Sequence, residues 1–417
     1  MQASRTVDPL TDVGVGSGFL RRIASAFVGF TLGATAVTGA ANAQRIDLNI
    51  DSSLADYLLE VVCSGEKVDE AYLRSSPFVQ AQVRHHTSLS PVRNMDALLA
   101  GLEVASRCEI PERDVFRFGP IVEDKGRFEA TVDFLKIRAP EIERFVVTSL
   151  APYAPEDFDF SGAMALSIIG NPCGGFASEG YFFLAINCLT AGYEEEFSAI
   201  KVVSAHEVFH ALQHGFFYPG SFELEGVESH DEALELLFRW VMFEGTAELV
   251  ADSRQIEGSG VLTDFLTGFA ESGYQQIPLY IDLISYAGEI LTAGDDYSDR
   301  LANIYKLGFA GGGRQALYYA GATMASHMDK TYGREALICI FRLPPEQFVR
   351  AYQAAALRSA SEEAVPLGQT IMMGADRISR KREDGLAFER CVNSATLGRR
   401  SAPDAISRRK ALRWDDE

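Results

Sequence analysis

Two histidines and a glutamate stand in the pattern His-Glu-x-x-His, at His206, Glu207 and His210. On a helix, residues four apart project from the same face, so both imidazoles can bind one metal ion. This spacing is typical of zinc sites, in which the ion acidifies a water and the adjacent glutamate accepts its proton. The pattern predicts a Zn²⁺-dependent hydrolytic centre, with His206 and His210 as metal ligands and Glu207 as general base.

A catalytic zinc needs a third protein ligand, and the same helix does not offer one. The metzincin pattern requires a histidine at position 216, which is Phe216. His214 follows His206 by eight residues, which is about 12 Å along a helix at about 1.5 Å per residue and too far for one ion. We therefore interpret His214 as a surface residue or as a side chain that supports the ligands.

Two glutamates further along the chain are better candidates. Glu244 and Glu248 lie one helical turn apart in Phe-Glu-Gly-Thr-Ala-Glu, so one carboxylate can bind the metal while the other holds a ligand histidine through its free ring N–H. The competing interpretation is a solvated acidic face. The segment 218–230 is rich in glycine and acidic residues, and it offers Glu228 and His230 as rival ligands.

Together, the two motifs resemble the gluzincin clan of zinc peptidases, which includes thermolysin-like and aminopeptidase N-like enzymes. The resemblance implies that Glu244 is the third zinc ligand and that Glu248 supports a ligand histidine. It also implies an oxyanion-binding tyrosine, matched by Tyr318 with Tyr319 as the alternative. A phenol O–H can donate to a developing alkoxide, although both tyrosines could equally be packing residues.

The resemblance is greatest to bacterial zinc-dependent peptidases of unknown substrate, over about residues 150–345. His210 and Glu244 are 34 positions apart, a longer interval than in thermolysin or aminopeptidase N. The chain also lacks the exopeptidase motif of the aminopeptidases, so nothing favours aminopeptidase over endopeptidase specificity.

The surrounding pattern predicts an α+β fold with a thermolysin/aminopeptidase-like core. Apolar periodicity predicts helices before about residue 115, where His85 and His86 are interpreted as surface residues. Three β-prone runs follow, at 145–147, 165–169 and 181–186, and they predict a small antiparallel sheet before the zinc helix. Asn171-Pro172 and Gly174-Gly175 mark the turn between the last two runs. The Tyr181–Asn187 strand is a candidate for pairing with an extended substrate. Further helices are predicted at 197–214, 231–252 and 314–332.

The N-terminus carries the signals of export. Arg21-Arg22 precede the apolar run from Ile23 to Val37, and Ala41-Asn42-Ala43 supplies a small-residue cleavage site. A membrane anchor is the alternative, but the run is short and rich in small residues. We expect a signal peptide at 1–43, an N-terminal region at 44–150, a peptidase domain at 151–360 and a basic, partly disordered tail at 361–417.

The cysteines and the charge fit an exported enzyme, periplasmic or secreted. Six cysteines allow disulfides in an oxidising compartment. Pairing in sequence order is the simplest scheme, and Cys173–Cys188 is the favoured pair. A net charge of −20 argues against nucleic-acid binding and favours a soluble protein without a membrane span once the signal is removed.

The expected partner is a peptide or protein substrate. Two alternatives remain, a non-catalytic binding protein on the same scaffold and a hydrolase of non-peptide bonds. The intact Glu207 favours an enzyme, because a structural zinc site needs no general base.

Overall fold

A computed structural model describes residues 45–401, except 157, 171–173, 179–180, 188, 190–192, 220–221, 223, 225, 310–314 and 360–363. The predicted signal peptide, the last sixteen residues and both Cys173 and Cys188 lie outside the described residues, so those predictions remain predictions.

The described residues form a mainly helical protein with one small sheet. The strands are β1 (Arg45–Asp51), β2 (Asp159–Ser167), β3 (Gly174–Ser178) and β4 (Tyr181–Ala185). The helices are α1 (Ser53–Val61), α2 (Glu70–Ser75), α3 (Pro77–Leu89), α4 (Met95–Ser106), α5 (Gly119–Glu123), α6 (Lys125–Leu150), α7 (Phe197–Phe216), α8 (His230–Val250), α9 (Val261–Tyr274), α10 (Ile277–Thr292), α11 (Tyr297–Gly308), α12 (Ala316–Tyr332), α13 (Arg334–Phe341), α14 (Pro345–Arg358), α15 (Gln369–Lys381) and α16 (Ala387–Ser401). None of them is long and apolar enough to cross a bilayer.

The sheet is mixed, so the prediction of an antiparallel sheet was wrong. Its strand order is β1-β2-β4-β3. β1 and β4 both run parallel to β2, and only β3 pairs antiparallel with β4. The reason is that β1 comes from the distant N-terminal segment, and the long helical connection to β2 allows a parallel pairing that a hairpin does not.

The position of β4 also overturns the prediction that it pairs with substrate. Residues 182–185 of β4 are matched with β2 on one side and with β3 on the other. β3 occupies the edge of the described sheet. Gly174 and Gly175, predicted to form a turn, are part of that edge strand.

The β-prone run at 145–147 is helical. It lies in α6, a 26-residue helix. Val132, Leu135, Ile142 and Val146 are buried at helical spacing in α6, and this long apolar stripe outweighs the local β-propensity of three residues.

Three helices of the second half of the chain lie where they were predicted. Two of them, α8 and α12, are in close contact because glycines face each other between them. α7, α8 and α12 correspond to the helices predicted at 197–214, 231–252 and 314–332. A Cβ on Gly245 of α8 would lie 2.3 Å from the Gly321 backbone of α12. A Cβ on Gly321 would lie 2.2 Å from the Val241 carbonyl oxygen. Any larger residue would push these two helices apart.

His86 of α3 is buried and His85 is partly buried, so the interpretation of this pair as surface residues was wrong. His86 is fully buried, and His85 stacks on Phe176 of β3 with ring centroids 4.0 Å apart. Burial lowers the pKa of His85 to about 4 and that of His86 to about 3. The two side chains are covered because α3 lies against β3 and also near Phe116, whose ring contacts His86 edge-on.

Most of the described part of the basic C-terminal segment forms α15 and α16, and several of its basic residues are ion-paired. Arg377 and Lys381 of α15 bind Asp231 at the start of α8. Arg382 binds Glu235 of α8 and Glu346 of α14. This part of the predicted basic tail therefore packs on the helix that carries Glu244.

Two disulfides follow the sequence order that was predicted. Cys63 pairs with Cys108, and Cys339 pairs with Cys391. The second bond attaches α16 to α13, which helps to hold the C-terminal helices on the core.

Candidate metal centre

The structure brings His206, His210 and Glu244 together from two helices. His206 and His210 lie on α7, and Glu244 lies on α8, which packs against it. Glu244 Oε2 is 3.6 Å from His206 Nε2 and 3.2 Å from His210 Nε2. All the potential ligand atoms lie within 4.8 Å of one another, and no other such triad occurs among the residues described.

This arrangement fits a zinc ion. Two ligands about 2.0–2.1 Å from a metal at a tetrahedral angle are about 3.4 Å apart, which matches the two imidazole–carboxylate separations of 3.6 and 3.2 Å. Glu244 Oε2 is buried and has no well-formed hydrogen bond within the described chain. A buried carboxylate oxygen without a donor is costly, and a cation between the three groups would satisfy it.

The charges of the triad are strongly coupled. Burial raises the pKa of Glu244, but the neighbouring His210 and His206 more than offset this and hold it well below its usual range. Burial opposes protonation of His210, yet the Glu244 carboxylate raises its pKa to about 9. A proton shared between these two groups would have to leave when a metal binds.

His210 is held by a residue that the sequence analysis did not single out. Its Nδ1 lies 2.7 Å from Oε1 of Gln213, one turn later on α7. The amide nitrogen of Gln213 donates to the Phe243 carbonyl oxygen and to Thr246 Oγ1, both at 2.7 Å. The position three residues after the second histidine was a signal for this contact, because such residues are neighbours on a helix.

Glu248 does not make its predicted contact with a ligand histidine. It is buried, and its two oxygens accept hydrogen bonds from the backbone N–H and the hydroxyl of Ser253. Burial raises the pKa of Glu248 to about 8. The Glu248 carboxylate is therefore hydrogen-bonded to the loop after α8, and the amide of Gln213 contacts His210 instead.

Glu207 lies next to the triad, under the edge strand of the sheet. A Cβ on Gly175 of β3 would lie 2.1 Å from Glu207 Cγ and 2.7 Å from its Oε1. Only glycine at this position leaves room for the glutamate. Burial raises the pKa of Glu207, which suits a group that has to accept a proton.

Of the two candidate tyrosines, the structure brings Tyr318 to the triad. Its ring stacks on His206, with centroids 5.8 Å apart. Burial and the Glu244 charge raise its pKa well above the usual value, so the phenol keeps its proton. Tyr319 points into the core instead, where it packs on Tyr274 and Gly273.

The rival ligands are not near the triad in the described chain. The ring of His230 packs on Tyr297, and the Glu228 backbone N–H binds Glu232 at the start of α8. His214 lies beside Phe243, whose ring stacks on His210 with centroids 4.9 Å apart. His214 therefore borders the site, and none of these three residues belongs to the set of ligands.

Residues 96–361 match the model of a family described as "Putative zinc dependent peptidase (DUF5700)". The match covers more than half of the 417 residues. The chain belongs to this family. The matched region contains His206, His210 and Glu244 together with Glu207 and Tyr318. Outside it lie β1, α1, α2, α3, α15 and α16. No curated protein and no solved structure matches the chain. Membership in this peptidase family supports zinc-dependent peptidase chemistry in general terms.

Proposed function

We propose that this protein is an exported gluzincin-type zinc peptidase that hydrolyses peptide bonds. The observation that carries the proposal is the convergence of His206, His210 and Glu244 beside Glu207. The triad offers two imidazole nitrogens and one carboxylate, the set that catalytic zinc takes with a position left open. Zinc held there would lower the pKa of a water and polarise a substrate carbonyl.

Glu207 and Tyr318 are proposed to carry out proton transfer and oxyanion binding. Glu207 accepts the proton of the attacking water and passes it to the departing amine, a role that its raised pKa supports. Tyr318 keeps its phenol proton, and its O–H lies beside Glu244, where it can donate to the oxyanion of the tetrahedral intermediate.

We propose that an extended substrate pairs with the edge strand β3. β4 is paired on both sides, whereas β3 lies at one edge of the described sheet, the edge opposite β1. Gly175 of β3 touches Glu207, so a peptide added along this edge by main-chain hydrogen bonds would run past the general base. This replaces β4 with β3 in the substrate-pairing hypothesis.

Export is proposed from the N-terminal signal and from the disulfides. Two disulfide bonds within the described residues are consistent with an oxidising compartment such as the periplasm or the extracellular space.

The test combines metal analysis with one isosteric substitution. Elemental analysis of the purified protein is expected to give one zinc per chain. Wild-type protein should cleave members of a quenched-fluorescence peptide library, and Glu207→Gln should lower kcat by about 10²- to 10⁴-fold while retaining zinc. Cleavage that is unaffected by Glu207→Gln would rule out the mechanism. Zinc binding without cleavage of any peptide would instead favour a binding protein or a hydrolase of other bonds.

A further inference from the structure

We infer that Gln213 is a positioning residue that fixes which nitrogen of His210 faces the metal and couples His210 to the helix turn that carries Glu244. The inference rests on the proposed function to the extent that the triad binds zinc. Gln213 is almost fully buried, at 1% exposed, so water does not replace its hydrogen bonds.

The orientation of the Gln213 amide follows from its partners. The Phe243 carbonyl oxygen can only accept a hydrogen bond, so the group 2.7 Å away must be the amide nitrogen. Thr246 Oγ1 donates its own hydrogen to the same carbonyl, at 3.2 Å, and therefore accepts the second amide N–H. Both amide hydrogens of Gln213 are thus used on α8.

This orientation determines the tautomer of His210. The oxygen of the amide faces His210 Nδ1 at 2.7 Å and can only accept. Nδ1 must therefore carry a hydrogen, so Nε2, which lies 3.2 Å from Glu244 Oε2, is the nitrogen left to bind a metal once any proton on it has gone. A ligand histidine usually has its second ring nitrogen fixed in this way. Here a neutral amide provides the acceptor, and a backbone carbonyl on a different helix fixes that amide.

The same contacts link the two ligands mechanically. Phe243 and Thr246 flank Glu244 on α8, and Gln213 bonds to both from α7. A change in the spacing between α7 and α8 would therefore disturb His210 and Glu244 together. A glutamate at position 213 could still accept from His210, but it could not donate to the Phe243 carbonyl.

The experiment compares zinc affinity in Gln213→Met, Gln213→Glu and Thr246→Val, by competition of the full-length protein with a chromophoric chelator. Gln213→Met removes every polar contact at similar length, and we expect about 10- to 100-fold weaker zinc binding. Gln213→Glu should also weaken binding, because it loses both donors. The visible spectrum of the Co²⁺-substituted protein should change in both variants, which a purely structural role would not cause.

Gln347→Met is the matched control. Gln347 is another fully buried glutamine, and it bonds to Ser379 and Gly385, remote from the triad. Its replacement should lower the melting temperature and leave zinc affinity unchanged. If neither Gln213 variant folds, Thr246→Val, which keeps Gln213 itself, should still weaken zinc binding measurably.

The outcomes separate this inference from the proposed function. Tight zinc binding by wild type together with unchanged affinity and Co²⁺ spectrum in the Gln213 variants, or in Thr246→Val where these do not fold, overturns the inference alone. Wild-type protein that does not bind zinc overturns the metal site, and the inference with it.

Discussion

Replacing Gly175 by alanine tests the proposed base without altering any ligand or the base itself. The added Cβ would lie 2.1 Å from Cγ of Glu207, 2.6 Å from its Cδ and 2.7 Å from its Oε1. Carbon atoms in contact prefer a separation of about 3.5–4.0 Å, so Glu207 and β3 must separate by about 1.5 Å. The clash involves the middle of the side chain, so a small rotation of the carboxylate does not relieve it.

A displacement of this size is large for a proton acceptor. A misplacement of about 1 Å can cost about 10²-fold in rate, equivalent to about 2.7 kcal/mol of activation free energy. We expect Gly175→Ala to lower kcat by about 100-fold in a continuous peptide-cleavage assay. Zinc content and affinity should match the wild type, because the atoms that the new Cβ meets belong to Glu207.

The matched control is Gly268→Ala on α9, where an added Cβ meets nothing within 4 Å. This variant should retain wild-type activity. A Gly175→Ala protein with full zinc occupancy and a kcat within about threefold of wild type, a change of less than about 1 kcal/mol, would refute the placement of Glu207 as the base beneath β3.

Three further predictions concern the oxyanion donor, a buried ion pair and a buried histidine. Tyr318→Phe keeps the ring that stacks on His206 but removes the O–H donor, so kcat should fall by about 10²- to 10³-fold with little change in KM in steady-state kinetics. Arg382→Ala leaves the fully buried Glu346 without its partner, so urea unfolding should show a loss of about 3–5 kcal/mol. His86 has a pKa of about 3 when folded and about 6.5 when unfolded, so the unfolded state binds the proton first as pH falls. The free energy of unfolding should therefore decrease below pH 6.5, by about 2 kcal/mol from His86 between pH 7.5 and pH 5, and His86→Phe should remove that share of the slope.

Each of these has an outcome that would contradict it. Retention of wild-type kcat by Tyr318→Phe would exclude the phenol from the chemistry. For the ion pair, the comparison is Arg74→Ala, which breaks exposed pairs with Glu70 and Asp96 and should cost much less stability because water screens them. Equal losses at Arg74 and Arg382 would contradict the argument from burial. An unchanged pH slope in His86→Phe would show that His86 is not a buried neutral group.

Local sequence patterns were sufficient to predict features that depend on residues close together in the chain. The four-residue spacing of His206 and His210 predicts a shared helix face, and the apolar periodicity after it places α7, α8 and α12 to within a few residues. Pairing of cysteines in sequence order is also confirmed for Cys63–Cys108 and Cys339–Cys391. These features depend on residues close in sequence or on a simple count.

The predictions that were wrong depended on contacts or burial that the local sequence pattern does not reveal. β1 joins the sheet from more than a hundred residues before β2, and no local signal records which strand a distant segment pairs with. The burial of His86 depends on β3 and Phe116 meeting α3. The β-propensity of 145–147 was overruled by the long buried stripe of α6.

At the candidate metal centre, the chemical groups could be read from the chain alone: two imidazoles on one helix face, a glutamate beside them and a later glutamate on a second helix. Only the tertiary structure decided how they are used. The close contact of Gly245 with Gly321 lets Tyr318 rather than Tyr319 reach the triad. The contact of Gln213 with Phe243 decides that an amide, and not Glu248, supports His210. The sequence specifies the residue types, but packing sets the distances between the helices. The chemistry of this site depends on both.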